Sequence, residues 1–245
     1  MWSCGREADS KEHGFSAWLN STIRLDPTEQ AQIVIRQRGR PELAWLANQI
    51  AAEKYRVVCT QCNTGWMSEL EGCVVPILRP MIREESQTLN MEQQLLVATW
   101  ATMKAYVFEE AADPELRVST TEDRALIYEE HHRRPSADTR IRLAHFSGPK
   151  LCSLSRRVAI EDPQNPSSPA GYCSTLVLGS LVIQVLGVPD SSYKAFASLG
   201  ESNDLSVSVL PPVQGGASWP PKTALTLDTL DQYERSAFPT IKWEE

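Results

Sequence analysis

A chain of 245 residues, 42% hydrophobic and 22% charged, can bury a sizeable core without disulfide staples and is too apolar for disorder. Its net charge of −7 excludes a protein that coats DNA through bulk positive charge, and no apolar run is long enough to cross a bilayer as a helix. Charged residues from Arg6 onward interrupt any signal-peptide core, so the expectation is a cytoplasmic protein whose six cysteines are metal ligands or buried thiols.

Residues 1–72 read as one small module and 73–245 as a helical, then β-rich region. After Cys4 comes Lys11-Glu12-His13, and then an apolar anchor from Phe15 to Leu19. Asp26-Pro27 with Glu29 has the form of a helix start, yet Ile33-Val34-Ile35 is β-branched, so helix and strand both stay open there. From Pro41 to Glu53, Leu43, Leu46, Ala47 and Ile50 share one helical face. Tyr55 to Val58 is a predicted strand running into Cys59-Thr60-Gln61-Cys62. Thr64 to Glu71 is a predicted short helix, ended by Gly72 and barred from continuing by Pro76 and Pro80.

Asn90 with Gln93 predicts a capped helix, along which Leu96, Trp100, Met103 and Val107 form a buried stripe. Thr120 to Asp123 opens another helix, running to about His131. From Thr139 to Phe146 the period changes to two, with Ile141 and Leu143 on one face and Arg140 and Arg142 on the other. Cys173 to Leu186 is apolar on both faces and broken at Gly179-Ser180, which reads as two buried strands or one bent one. Asp162 to Gly171 is a predicted loop, Pro211 to Pro221 a second break, and Asp228 to Ser236 a closing helix. The fold class is therefore α+β.

The chemistry concentrates in the first module. Two cysteines spaced C-x-x-C can place both thiolates on one Zn²⁺, and no βαβ context supports the redox alternative. Cys152 and Cys173 read as buried thiols, and Cys73 as structural or a spare ligand. Hydrolysing a phosphodiester needs a base for the attacking water and a cation to offset charge on the leaving oxygen. His13 offers the base. Glu12 and Asn63 offer the carboxylate and amide oxygens that Mg²⁺ or a similar ion prefers. Asn63 is open to a second role as a helix cap. Trp66 reads as core, and His131 and His132 as surface residues.

Lys11-Glu12-His13 followed by Trp18-Leu19, and Val58-Cys59-x-x-Cys62-Asn63-x-Gly65-Trp66-Met67-Ser68-x-Leu70-Glu71, resemble the His-Asn-His (HNH) endonucleases, most of all a bacterial and phage branch. The resemblance implies a ββα-metal fold, a zinc-knuckle module in which Cys4, Cys59 and Cys62 hold a structural zinc. It further implies a catalytic cation on Glu12 and Asn63, His13 as general base, and DNA as the partner. Three positions depart from the family pattern. The first knuckle cysteine would fall on Met1, as if the start were placed late; the middle Asn would fall near Lys54, with Asn48 the nearest; and Gly14 stands where a proline usually follows the histidine.

Residues 1–63 carry eight Lys and Arg against seven Asp and Glu, so the acidic excess lies in the remainder and offers a surface for a protein partner. Arg36, Arg38 and Arg40, and Arg133, Arg134, Arg140 and Arg142, are two basic clusters that face either phosphate or solvent. The second reading, of a different class, is a non-catalytic, zinc-stabilised binding protein.

Overall fold

The computed structural model describes residues 4–23, 31–37, 43–47, 54–111, 117–129, 134–148, 151–160, 169–187 and 204–236. The first strand, β1 (Ser10–His13), leads through the buried anchor residues Phe15 and Leu19 into a single turn, α1 (Leu19–Thr22). Gly14 sits where the chain leaves β1 under two rings. A Cβ there would lie 2.9 Å from Tyr55 and 3.0 Å from Phe108, so a proline ring would collide with both.

Next come β2 (Ala31–Gln37) and β3 (Leu43–Ala47), paired antiparallel with Ile33 opposite Trp45. The open choice at Ile33 to Ile35 falls to strand. The helix expected over 41–53 is corrected: its described part is a strand. A five-residue apolar window fits either period, and β2, itself paired parallel with a later strand, supplies the ladder that decides it. The helix start at Asp26-Pro27 and Glu29, together with Ile50 and Asn48, lies outside the described residues.

Strand β4 (Lys54–Val58) returns to pair antiparallel with β1, setting Ser10 opposite Val58, Glu12 opposite Tyr55 and His13 opposite Lys54. It runs into a short turn of helix, α2 (Thr60–Cys62), and a π-helical segment, Asn63–Met67, kinked at Gly65, before α3 (Ser68–Ile82). α3 does not stop at Gly72; it passes through Pro76 and Pro80. Gly72 and Pro76 lie on its exposed side, where water can take the carbonyl that Pro76 frees, while Leu70, Val74, Ile77, Leu78 and Met81 are buried on the other. Packing outweighs the proline penalty.

After β5 (Gln87–Leu89), α4 (Met91–Ala111) starts at the expected cap: Gln93 N–H donates to Asn90 Oδ1 at 2.9 Å, and Asn90 N–H donates to Gln93 Oε1 at 3.0 Å. The predicted stripe is buried at Trp100, Met103 and Val107, but burial extends all round, covering every residue from Val97 to Glu109. α5 (Thr121–Tyr128) has its capping box at Thr120 and Asp123; His131, His132 and Arg133 lie outside the described residues.

The C-terminal part supplies β6 (Thr139–Phe146), β7 (Leu151–Ile160), β8 (Pro169–Leu178), β9 (Leu181–Gly187), β10 (Ser206–Leu210), β11 (Ala217–Trp219), β12 (Ala224–Leu225) and α6 (Leu227–Arg235). The large sheet runs β10-β6-β9-β8-β7-β2-β3, with β12 also on β6. Cys173 to Leu186 resolves into two strands, with Leu178 opposite Leu181 and Gly179 at φ +62° in the turn. Pro169 to Gly171, expected in a loop, belongs to β8, while β11 forms inside the expected break and pairs with β5. Because β2 pairs in parallel with β7, residues expected in the first module are spent on this sheet.

One face of the sheet carries Ile141, Leu143, Ile183 and Val185 into the core shared with α3 and α4; the other carries Ala144, Phe146 and Val182 against Leu230 and Tyr233 of α6. Arg142 is therefore buried and not available to phosphate, unlike the expectation for its cluster. Its Nε donates to Gln184 at 2.5 Å, its Nη2 donates to Ser236 at 3.2 Å, and its guanidinium lies 4.6 Å from the centre of the Tyr233 ring. Arg38 and Arg40 lie outside the described residues.

Candidate metal centre

Strand β4 delivers Cys59 in an extended conformation, and its sulfur accepts the Cys62 N–H at 3.4 Å, so the first thiol caps the turn that presents the second. The turn is clipped to the start of β1: Asp9 Oδ1 accepts from the Thr60 N–H at 2.6 Å and from its hydroxyl at 3.1 Å, which holds the Asp9 carboxyl below its usual range. Cys4 arrives from the N-terminal side with its sulfur 3.7 Å from that of Cys59. The ligand atoms of Cys4, Cys59 and Cys62 all lie within 4.8 Å of one another, and no other such group of His, Cys, Asp or Glu occurs among the described residues.

Metal–sulfur bonds of about 2.3 Å in a tetrahedron put neighbouring sulfurs about 3.8 Å apart. The separation of Cys4 and Cys59 matches that edge, and all six cysteines carry free thiols. Burial pushes the Cys62 thiol up to about 12, with Cys59 and Cys4 adding to the shift. Burial also opposes ionisation of Cys59, but hydrogen bonds from the Cys62 main chain and side chain, Cys4 and Arg6 outweigh it and hold that thiol below its usual range. Three adjacent thiols ionise together only against a cation, so this group can hold a metal ion. Cys73 stands exposed on α3, apart from the group, and Cys152 is a buried thiol pushed up to about 12. Met1 lies outside the described residues.

Asn63 follows directly. Its side-chain nitrogen donates to Ser10 Oγ at 2.8 Å and to the Lys11 carbonyl at 3.3 Å, so the side chain bridges the turn to β1 rather than capping a helix. Its Oδ1 takes no hydrogen bond among the described residues. Glu12, on the same strand, turns inward with its side chain 9% exposed. Its Oε1 accepts from Lys104 Nζ at 2.5 Å, and its Oε2 takes no hydrogen bond among the described residues. Both are hard oxygen donors of the kind Mg²⁺ takes alongside its waters. His13 is half-buried at the strand end, and its carbonyl accepts from Lys104 at 3.3 Å.

The sequence reading missed Lys104 and Glu71. Lys104 is 1% exposed in the middle of α4 and pairs with both Glu12 and Glu71, the latter at 2.8 Å. Glu71 also accepts from the Ser16 hydroxyl and from Trp100 Nε1 at 3.4 Å. A signal was present: one lysine in an otherwise uncharged run from Gln93 to Phe108 demands a buried counter-ion.

Burial works against both charges, but their attraction prevails: Lys104 holds Glu71 below the usual carboxylate range, and Glu71 and Glu12 raise Lys104. A depressed carboxyl contributes stability above its unfolded value of about 4.3, lost as pH falls through the folded one. A raised lysine contributes below its unfolded value of about 10.4, lost as pH rises through the folded one. Melting temperature against pH should thus fall in acid and in strong alkali, and Glu71→Gln should flatten the acid limb. An unchanged acid limb in that variant would assign it elsewhere.

Comparison with protein-family models, with curated proteins and with solved structures returns no match to this chain. Any functional reading therefore rests on the motifs and on this geometry. No helix among the described residues is long and apolar enough to cross a membrane.

Proposed function

We propose that this protein is a metal-dependent endonuclease that hydrolyses DNA phosphodiester bonds on a zinc-pinned HNH-like module. The observation that supports this most is the reach of Asn63 from the cysteine turn to Ser10 and Lys11, beside Glu12 and His13. Cys4, Cys59 and Cys62 would hold the structural zinc and so fix the direction in which Asn63 points. Asn63 Oδ1 and Glu12 Oε2 would hold the divalent ion, which when bound offsets charge on the leaving oxygen. The His13 imidazole takes the proton from the attacking water.

A non-catalytic, zinc-stabilised binding protein is the second reading, favoured by one observation: Glu12 is largely buried and already shares an oxygen with Lys104. Under it the acidic remainder of the chain meets a protein partner.

Incubating the full chain with supercoiled plasmid separates the two. Nicked or linear product in Mg²⁺, lost with EDTA and regained when Mg²⁺ is added in excess, is the expected result. Intact plasmid with Mg²⁺ and with Mn²⁺ would leave the binding protein.

A further inference from the structure

The ammonium of Lys104 has three N–H donors, and three acceptors surround it: Glu12 Oε1 at 2.5 Å, Glu71 Oε1 at 2.8 Å and the His13 carbonyl at 3.3 Å. Its donors are all used, with its side chain 1% exposed. The acceptors come from β1, from α3 and from the main chain at the end of β1, while the lysine comes from α4. One positive charge faces two carboxylates, so the group keeps a net charge of −1.

This acceptor set is one that a divalent ion would also take. Two carboxylates and a main-chain carbonyl are typical Ca²⁺ donors, and all three converge on the one ammonium. We propose that Lys104 is a positioning residue acting as a built-in cation: it fills a site that Glu12, Glu71 and the His13 carbonyl would otherwise offer to a divalent ion, and so fixes the Glu12-His13 pair from within. A tethered charge keeps the strand in place whatever the ion supply, and leaves Glu12 Oε2 outside its hydrogen bonds. The positioning half rests on the endonuclease reading; the charge half does not.

The test is Lys104→Met in the full, zinc-loaded chain, since methionine keeps most of the stem and vacates the ammonium position. Calorimetry should show a Ca²⁺ site at least tenfold tighter than any in the unaltered protein. The variant should melt lower than the unaltered protein in Ca²⁺-free buffer and regain most of that loss in saturating Ca²⁺. Adding Glu71→Gln to Lys104→Met should remove both gains, because one of the two carboxylates is then neutral. A folded Lys104→Met variant with unaltered Ca²⁺ binding and melting overturns the proposal. So does one that stays unfolded with and without Ca²⁺. If the unaltered chain cleaves DNA, Lys104→Met should lower kcat at least tenfold; equal cleavage overturns the positioning half. An unaltered chain that cleaves nothing counts against the endonuclease reading alone and leaves the Ca²⁺ result to decide the charge half.

Discussion

With the proposed zinc on Cys4, Cys59 and Cys62, Cys59→Ser should abolish metal binding there and cost the protein several kcal/mol of stability. Cys59 is the hub of the group, capping the turn that carries Cys62 and standing beside Cys4. A serine oxygen can still accept the Cys62 N–H, so the cap survives and the loss is that of the metal. Structural zinc contributes about 10–16 kcal/mol in isolated finger peptides, where metal and fold are one transition. The loss here should be smaller, on the order of 3–6 kcal/mol, because Val58, Cys62, Trp66 and Met67 also pack into the main core. Metal analysis should find one zinc per unaltered chain and none in Cys59→Ser, with a matching fall in melting temperature. Cys73→Ser is the control and should keep its zinc, since that thiol is exposed and apart from the group. An unaltered chain without zinc, or a serine variant that retains it, would remove the metal from the account.

His13→Ala should lower the single-turnover rate of DNA cleavage by about 10²–10⁴-fold, the range for loss of a general base. That corresponds to about 3–5 kcal/mol of transition-state stabilisation. The fold should not follow. Lys104 binds the His13 carbonyl and not its ring, and the pairing of His13 with Lys54 is made by the main chain. Zinc content and a cooperative melting transition should therefore be retained. Asn63→Ala should behave differently, losing the bridge to Ser10 and Lys11 and the oxygen proposed for the cation together, so stability and cleavage both fall. Cleavage by His13→Ala at the unaltered rate would end the proposed role of that imidazole.

Much of the site was legible along the chain because its parts are local. The C-x-x-C turn is closed by its own first sulfur, and the Asn90 and Thr120 caps need only residues three positions away. The apolar run from Cys173 to Leu186 shows a strand pair but leaves its form open, and only the turn at Gly179 settles it. Where local pattern and tertiary context disagreed, context won. The segment at Leu43–Ala47 carries a helical pattern but lies beside a strand whose hydrogen bonds it completes. α3 crosses two prolines because its buried face is worth more than the bonds it gives up.

Residue order by itself determined the cysteine turn, the capped helices and the alternating strands, since each depends on periodicity or spacing within a few residues. Only the tertiary structure decided that Cys4 closes on Cys59 across 55 positions, that Asn63 ties back to Ser10 across 53, and that Lys104 meets Glu12 across 92. The reason is physical. A buried charge or an unshielded thiol must find its partner wherever packing brings one, and the identity of that partner is set by how strands and helices meet, not by neighbours in the chain.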